Sequence, residues 1–376
     1  MIRIDEIYNN TIWPWMQQNL PGKRVFFCDP PGHTSPDNLF NLGSDTVKEN
    51  GYLFFHDQEP IDSITYKNLF TEVQERNDDL YASVHYNVLK NVCAPFYPRC
   101  RKMGLDKIGA IITSELGENL NNVIEHRHWK SYYYFFHGWA ALDWYRGYDK
   151  TFLRQPTNIQ HTFLLPNNII GGNRKHRLAL FVELEKRNLI KNNLISFPKI
   201  CPHENVSAVE LCKQYNLPTI KTELPLILDT FDNHANTSHS ITLWEQSARS
   251  LLQIVTETVF YGERLHLTEK TFKPIAMGQP FVLASCRGSL EYLKSYGFQT
   301  FDRWWSEEYD NITDNDGRLK AIADVVNSIG QKSTNELEQM RTEMLDVLDH
   351  NFKWFYNGFS DVVWSELKRQ LGSIYG

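Results

Sequence analysis

The sequence contains no GxGxxG turn and no GxxxxGK[ST] loop, which removes the usual glycine-rich cradles of a nicotinamide oxidoreductase and of a P-loop nucleotidase. Its six cysteines, at 28, 93, 100, 201, 212 and 286, form no CxxC pair and no regular spacing, so the thiols are expected to be reduced and mostly buried. Cys201 and His203 flank Pro202, but two ligand types alone do not make a zinc site, and the expectation is no metal. A DxD pair for a phosphate-bound divalent ion has no convincing instance; Asp314-Asn315-Asp316 is a loop-like echo of one. No apolar run approaches membrane-spanning length, and the opening MIRIDEIYNN lacks a signal-peptide core, so a soluble cytoplasmic protein is expected. Positive charge is also short: 39 Lys and Arg against 45 Asp and Glu leave a net charge of −6. That balance argues against indiscriminate coating of nucleic acid but permits a local basic track.

What is present is a chain of 376 residues, long enough for two ordinary domains. Apolar residues at 41% suffice for filled cores, and aromatics at 13% suffice to line a sugar or base pocket besides. Short apolar runs ending in polar loops recur. RVFFCD (24–29) precedes Pro30-Pro31-Gly32, and Tyr52–Phe55 precedes His56, Asp57 and Glu59. A polar helical region at about 62–77 and a strand candidate at Ala82–Val84 lead to IGAIITSE (108–115), which ends in Ser114 and Glu115. Ligands of open α/β sheets sit outside the carboxyl ends of strands, which places Asp57, Glu59 and Glu115 at a cleft. In SYYYFFHGWAALDWYRGY (131–148) a strand is expected before His137-Gly138 and a helix after it. Trp139, Leu142 and Tyr145 have helical spacing and read as core, whereas His137 at the bend is a candidate acid or base.

The segment Lys150–Asn158, poor in apolar residues, reads as a linker to a second α/β pattern. HTFLLPNN gives a strand and polar loop, and RKHRLALFVELEKRNL a helix with Leu178, Leu180, Phe181 and Leu184 on one side. Arg174 and Arg177 stand at the start of that helix, where cations oppose the macrodipole; an anionic ligand supplies a reason for them. Basic clusters at 99–102 and 126–130 are further candidates for a phosphate track, though such clusters are more often solvated faces. NLISFPKI is a strand, a short helix follows at about 206–214, and Leu217–Ser240 is a long loop. SLLQIVTETVF (250–260) is a strand ending near Thr256-Glu257-Thr258.

LTEKTFKPIAMGQPFVLASCRGSLEYLKSYGFQT (267–300) is the most informative stretch. Thr268 caps a helix whose first turn carries Glu269, Lys270 and Lys273, and whose N–H groups favour an anion. Pro274 makes the helix short or bent, Gly278 and Pro280 end it, and Phe281–Ala284 reads as a buried strand. Either Glu257 or Glu269 offers two acceptors for ribose hydroxyls while Lys270 neutralises phosphate oxygens. GSLEYLKSYGF forms a helix closed by Gly297, residues 334–348 form one charged amphipathic helix, and the tail Phe352–Leu371 is helical, with Trp354, Phe355, Phe359, Val363 and Leu367 available for packing.

This stretch resembles the nucleotide-sugar signature of fucosyltransferase-like glycosyltransferases, in which a Thr-Glu-Lys step precedes a small-residue helix, Gly, Pro and a hydrophobic strand. It is more similar still to glycosyltransferase-like proteins of tailed phages, which share LTEKTFKPIAMGQPFVL and GSLEYLKSYGFQTF almost as a unit. Among such phage enzymes are those that place sugars, including arabinose, on 5-hydroxymethylcytosine in DNA. The similarity is specific over about 250–310, extends to 160–200 and to FFHDQEP and HGWAALDWYR, and is faint elsewhere.

The resemblance implies an α/β fold of the GT-B class, two Rossmann-like domains with a cleft between them. Residues 1–155 would bind the acceptor, 156–345 the nucleotide sugar, and a C-terminal helix over 346–376 would pack back on the first domain. It implies an inverting, metal-independent transfer from a nucleotide sugar, UDP before GDP, with no tightly bound cofactor. The donor residues would be Arg174, Arg177, Thr256, Glu257, Thr268, Glu269, Lys270 and Lys273, and the acceptor's base one of Asp57, Glu59, Glu115 and His137. The expected partner is double-stranded DNA containing hydroxymethylcytosine, met by a monomer or small homo-oligomer in the host cytoplasm if the chain is phage-encoded. A glycan-directed transferase and a non-catalytic nucleotide-sugar-binding module are the alternatives.

Overall fold

A computed structural model describes residues 11–19, 24–27, 52–56, 108–113, 116–117, 130–133, 135–149, 158–228 and 241–375. The chain divides into two compact units, Met1–Asp143 with Asp361–Gly376, and Trp144–Ser360.

In the first unit, β1 (Arg24–Phe27), β2 (Tyr52–His56), β3 (Ile108–Thr113) and β4 (Lys130–Tyr133) form a four-stranded, wholly parallel sheet in that order. Its register pairs His56 with Thr113 and Thr113 with Tyr133, so the carboxyl ends of three strands reach one edge together. Helix α1 (Trp13–Asn19) brings Trp15 edge-on against Trp364, ring centroids 5.6 Å apart, and Trp139 lies on the same indole at 5.7 Å. The Phe135 N–H donates to Glu366 Oε2 at 3.2 Å, tying the segment before the next helix to the C-terminal residues of this unit. Helix α2 begins at Phe136 and runs to Tyr145, which corrects the expectation for His137: it lies inside the first helical turn, buried, rather than at a bend before it.

The second unit is built on β5 (His161–Pro166), β6 (Leu194–Ser196), β7 (Ser250–Thr256) and β8 (Phe281–Ala284), a parallel sheet in the order β8-β7-β5-β6. All seven residues of β7 are buried, as expected of a central parallel strand covered on both faces. Helix α3 (Lys175–Lys186) connects β5 to β6 and buries Leu178, Leu180, Phe181 and Leu184. Helix α4 (Ala208–Gln214) follows a two-stranded antiparallel ribbon of Ile200–Cys201 and Val206–Ser207. Helix α5 (Trp244–Arg249) enters β7, and α6 (Glu269–Met277) connects β7 to β8. Gly278 closes α6 in the left-handed conformation, φ 68°, with its N–H on the carbonyls of Ile275 and Pro274.

Helix α7 (Ser289–Ser295) is followed by α8 (Asn315–Gly330), which buries Leu319, Ile322, Ala323, Val326 and Ile329 at helical spacing and was not singled out in the sequence. Asp314-Asn315-Asp316 is its cap: Asp314 Oδ2 accepts the Gly317 N–H at 2.6 Å. Residues 334–348 are two helices rather than one, α9 (Thr334–Glu343), opened by a Ser333/Glu336 capping box, and α10 (Leu345–Asn357). Gly358 then separates α10 from α11 (Phe359–Tyr375). Phe272 of α6 stacks on Phe355 and Phe359 at 5.4 and 5.6 Å, and this aromatic group joins α6 to α10. Among the described residues no helix is long and apolar enough to cross a membrane, and Cys201, Cys212 and Cys286 are buried free thiols.

Candidate functional site

The parallel sheet of the second unit ends in polar residues. Asn167 follows β5, Thr256 and Glu257 close β7, and Ser285 follows β8. The starts of α3 and α6 come to Glu257, so the carboxyl edge of the sheet meets the positive ends of two helices.

The two helix starts differ in what occupies them. At α6 the anion is the protein's own. The Glu257 carboxylate, with 0% exposure, accepts the Thr268 N–H at 2.9 Å, the Thr268 hydroxyl at 2.6 Å, the Thr271 hydroxyl at 2.6 Å and the Thr258 N–H at 3.2 Å. Four donors fill both oxygens, which corrects the expectation that Glu257 presents free acceptors to a ribose. Thr268 caps α6, its hydroxyl oxygen 3.5 Å from the Lys270 N–H. Lys270 Nζ bonds Glu269 Oε1 at 2.7 Å and Thr268 Oγ1 at 3.2 Å, leaving its side chain about a third exposed at 32%. Glu269 is buried and Lys273 half-buried.

At α3 the arrangement is reversed. The N-cap is Arg174, no side chain caps the helix, and no acidic residue lies in its first turn. The approach is a glycine turn: Gly172 has φ 55°, a left-handed conformation that favours glycine, while the end of the exposed Glu204 side chain lies over Gly171. Tyr215 Oη accepts the Gly172 N–H at 2.9 Å and braces the turn. Arg174 is half-buried and makes no side-chain hydrogen bond or ion pair among the described residues. Lys175 Nζ lies over the rings of Tyr261 and Tyr215, 5.1 and 5.8 Å from their centroids.

Arg177, by contrast, is a structural cation. Its Nη1 donates to the Ile169 carbonyl at 3.1 Å and its Nη2 to those of Thr256 and Glu257 at 3.0 and 3.3 Å, while Nε has no hydrogen-bond partner among the described residues. Burial first, and then the neighbouring Arg174, lower its pKa to about 10, so it remains charged at neutral pH. This corrects the expectation that Arg177 is as free as Arg174 to meet a ligand. His176, fully buried and stacked on Phe260 at 4.8 Å, donates from Nε2 to the Glu257 carbonyl at 3.0 Å. Burial and the adjacent Arg177 hold its pKa well below the ordinary histidine value, so the ring is neutral at pH 7.

Thr256 donates its hydroxyl to Asn167 Oδ1 at 2.5 Å, and the Asn167 Nδ2 is buried without a hydrogen-bond partner among the described residues. Asn167 was not singled out in the sequence; its signal was its place as the first polar residue after an apolar strand. Of the candidate bases, Asp57, Glu59 and Glu115 lie outside the described residues, and His137 is buried in α2. Among the described residues no cluster of three or more His, Cys, Asp or Glu side chains has the geometry to hold a metal ion. No protein-family model matches the chain, and a comparison with curated proteins returns no match.

Proposed function

We propose that the chain is a nucleotide-sugar-dependent glycosyltransferase of the GT-B class, with the donor's phosphates seated at the start of α3. The observation that carries this reading is the uncapped α3 start at the carboxyl edge of a parallel sheet, with no acid in its first turn and with Arg174 unpaired among the described residues. The Arg174 and Lys175 N–H groups are held by the carbonyls of Gly171 and Gly172, so the donor offered there is the half-buried Arg174 guanidinium, which suits a diphosphate whose oxygens accept bidentate hydrogen bonds. Lys270, about a third exposed and paired with Glu269, is the second cation for it. As the bond from sugar to phosphate breaks, negative charge grows on the leaving diphosphate, and fixed donors placed there lower the barrier.

The sheet of the first unit supports the acceptor half of the proposal. Its strands end together at His56 and Thr113, and Asp57, Glu59 and Glu115 follow those ends in sequence as candidates to take the acceptor hydroxyl's proton in an inverting displacement. The resemblance read in residues 267–301 favours arabinose from UDP as the sugar and hydroxymethylcytosine in DNA as the acceptor, with the reaction in the host cytoplasm if the chain is phage-encoded. The test is transfer from UDP- and GDP-sugars to hydroxymethylcytosine-containing duplex DNA, read by mass spectrometry of digested nucleosides, with Arg174→Ala and Lys270→Ala as controls. A sugar increment lost in both variants is expected. Donor hydrolysis without a DNA product would move the acceptor to a glycan, and UDP binding without turnover would leave a non-catalytic module.

A further inference from the structure

We infer that Glu257 is the positioning residue of the phosphate site, the single residue that sets the spacing between the starts of α3 and α6. The inference takes its ligand from the glycosyltransferase reading and its geometry from the fold alone. Every polar group of Glu257 is committed. Its N–H donates to the Ala284 carbonyl at the end of β8, 3.0 Å away. Its carbonyl accepts from His176 Nε2 and Arg177 Nη2 of α3 at 3.0 and 3.3 Å. Its carboxylate holds Thr268 and Thr271 of α6 through three bonds of 2.6 to 2.9 Å. Strand β7, strand β8 and both helix starts therefore meet in one residue.

The placement is informative because its charge has the wrong sign for the site it supports. A buried carboxylate beside an anion seat repels the anion, so as a charge alone Glu257 would weaken phosphate binding. As a brace it does the opposite. It occupies the positive end of α6 and fixes Thr268, to whose hydroxyl Lys270 bonds, while its carbonyl holds His176 and Arg177 beside Arg174 at the start of α3. Glu257 touches no reacting atom in this scheme and acts through the residues it holds.

The sign of the effect supplies the test. The full chain is titrated calorimetrically with inorganic pyrophosphate as wild type, Glu257→Gln and Glu257→Asp. Hydrogen exchange is followed at residues 174–177 and 268–271. Positioning predicts that both variants bind about tenfold more weakly, since Asp keeps the charge but loses the reach and Gln cannot accept from all four donors. It also predicts faster exchange at both helix starts in a variant that still melts cooperatively. Tighter binding by Glu257→Gln with unchanged binding by Glu257→Asp would reduce the residue to a charge and overturn the inference, as would faster exchange confined to 268–271. If the wild type binds no pyrophosphate, the phosphate seat itself fails, and the exchange at the two helix starts alone decides whether Glu257 joins them.

Discussion

Truncating Arg177 to Ala separates a structural cation from a ligand cation three residues away. The change removes the donors to the Ile169 and Thr256 carbonyls, while the Glu257 carbonyl keeps His176. One buried carbonyl and one half-buried one that lose this donor cost about 1–3 kcal/mol each, and loss of the buried side-chain stem adds about 1–2 kcal/mol. Against this, the guanidinium is held at a pKa of about 10 instead of 12.5, and relief of that burial returns about 3 kcal/mol at about 1.4 kcal/mol per unit. The balance centres on a loss of about 2 kcal/mol, which lowers Tm by about 4–8 °C for a unit of this size. Arg174→Ala removes no side-chain hydrogen bond or ion pair among the described residues and is expected to move Tm by less than about 2 °C while weakening pyrophosphate binding. Thermal melts followed by circular dichroism read the first effect and calorimetry the second. Equal melting temperatures for the two variants, or an unchanged melt for Arg177→Ala, would refute the division of roles.

Asp310 takes the Leu290 N–H at 3.0 Å, yet burial raises its pKa from 3.8 to about 6. A carboxyl with a raised folded-state pKa holds its proton better when folded. Its contribution is therefore full below about pH 4 and is lost as pH rises through about 6, amounting to as much as about 3 kcal/mol. Urea melts of Asp310→Asn between pH 4 and 7 should show a flatter stability profile than wild type; parallel profiles would exclude Asp310 as a source. Gly297 has φ 89°, and a Cβ there would stand 2.9 Å from the Trp354 indole, which is itself fixed by its Nε1–H on the Tyr296 carbonyl at 2.7 Å. Gly297→Ala is expected to cost about 1–3 kcal/mol, measured as a lower urea midpoint, and an unchanged midpoint would show that the indole yields freely.

The parts of the second unit legible in the sequence are those determined by local pattern. Phe281–Ala284 is an apolar run between Pro280 and Ser285, and Thr268 and Gly278 are helix punctuation; each was readable because its cause lies within a few residues. What escaped depends on contacts made across the fold. Glu257 reads as a ligand acceptor because a carboxylate after a strand faces a cleft, but the donors that fill it come from positions 268 and 271. Arg174 and Arg177 both stand at one helix start. Which of them turns onto the strand carbonyls is settled by β7, which lies far away in sequence. Helix α8 was readable from Leu319, Ile322, Ala323, Val326 and Ile329 at helical spacing behind an Asp cap but was not singled out, and the break between α9 and α10 escaped because Met344 is neither Gly nor Pro.

Calorimetric titration of the full chain with UDP and with uridine tests the phosphate seat at α3 most directly, because the two ligands share a base and ribose and differ in the diphosphate. UDP should bind at least about tenfold more tightly than uridine, and Arg174→Ala should bring UDP down toward the uridine level. Equal binding of the two ligands, or wild-type UDP affinity in Arg174→Ala, would contradict a diphosphate held at that helix start.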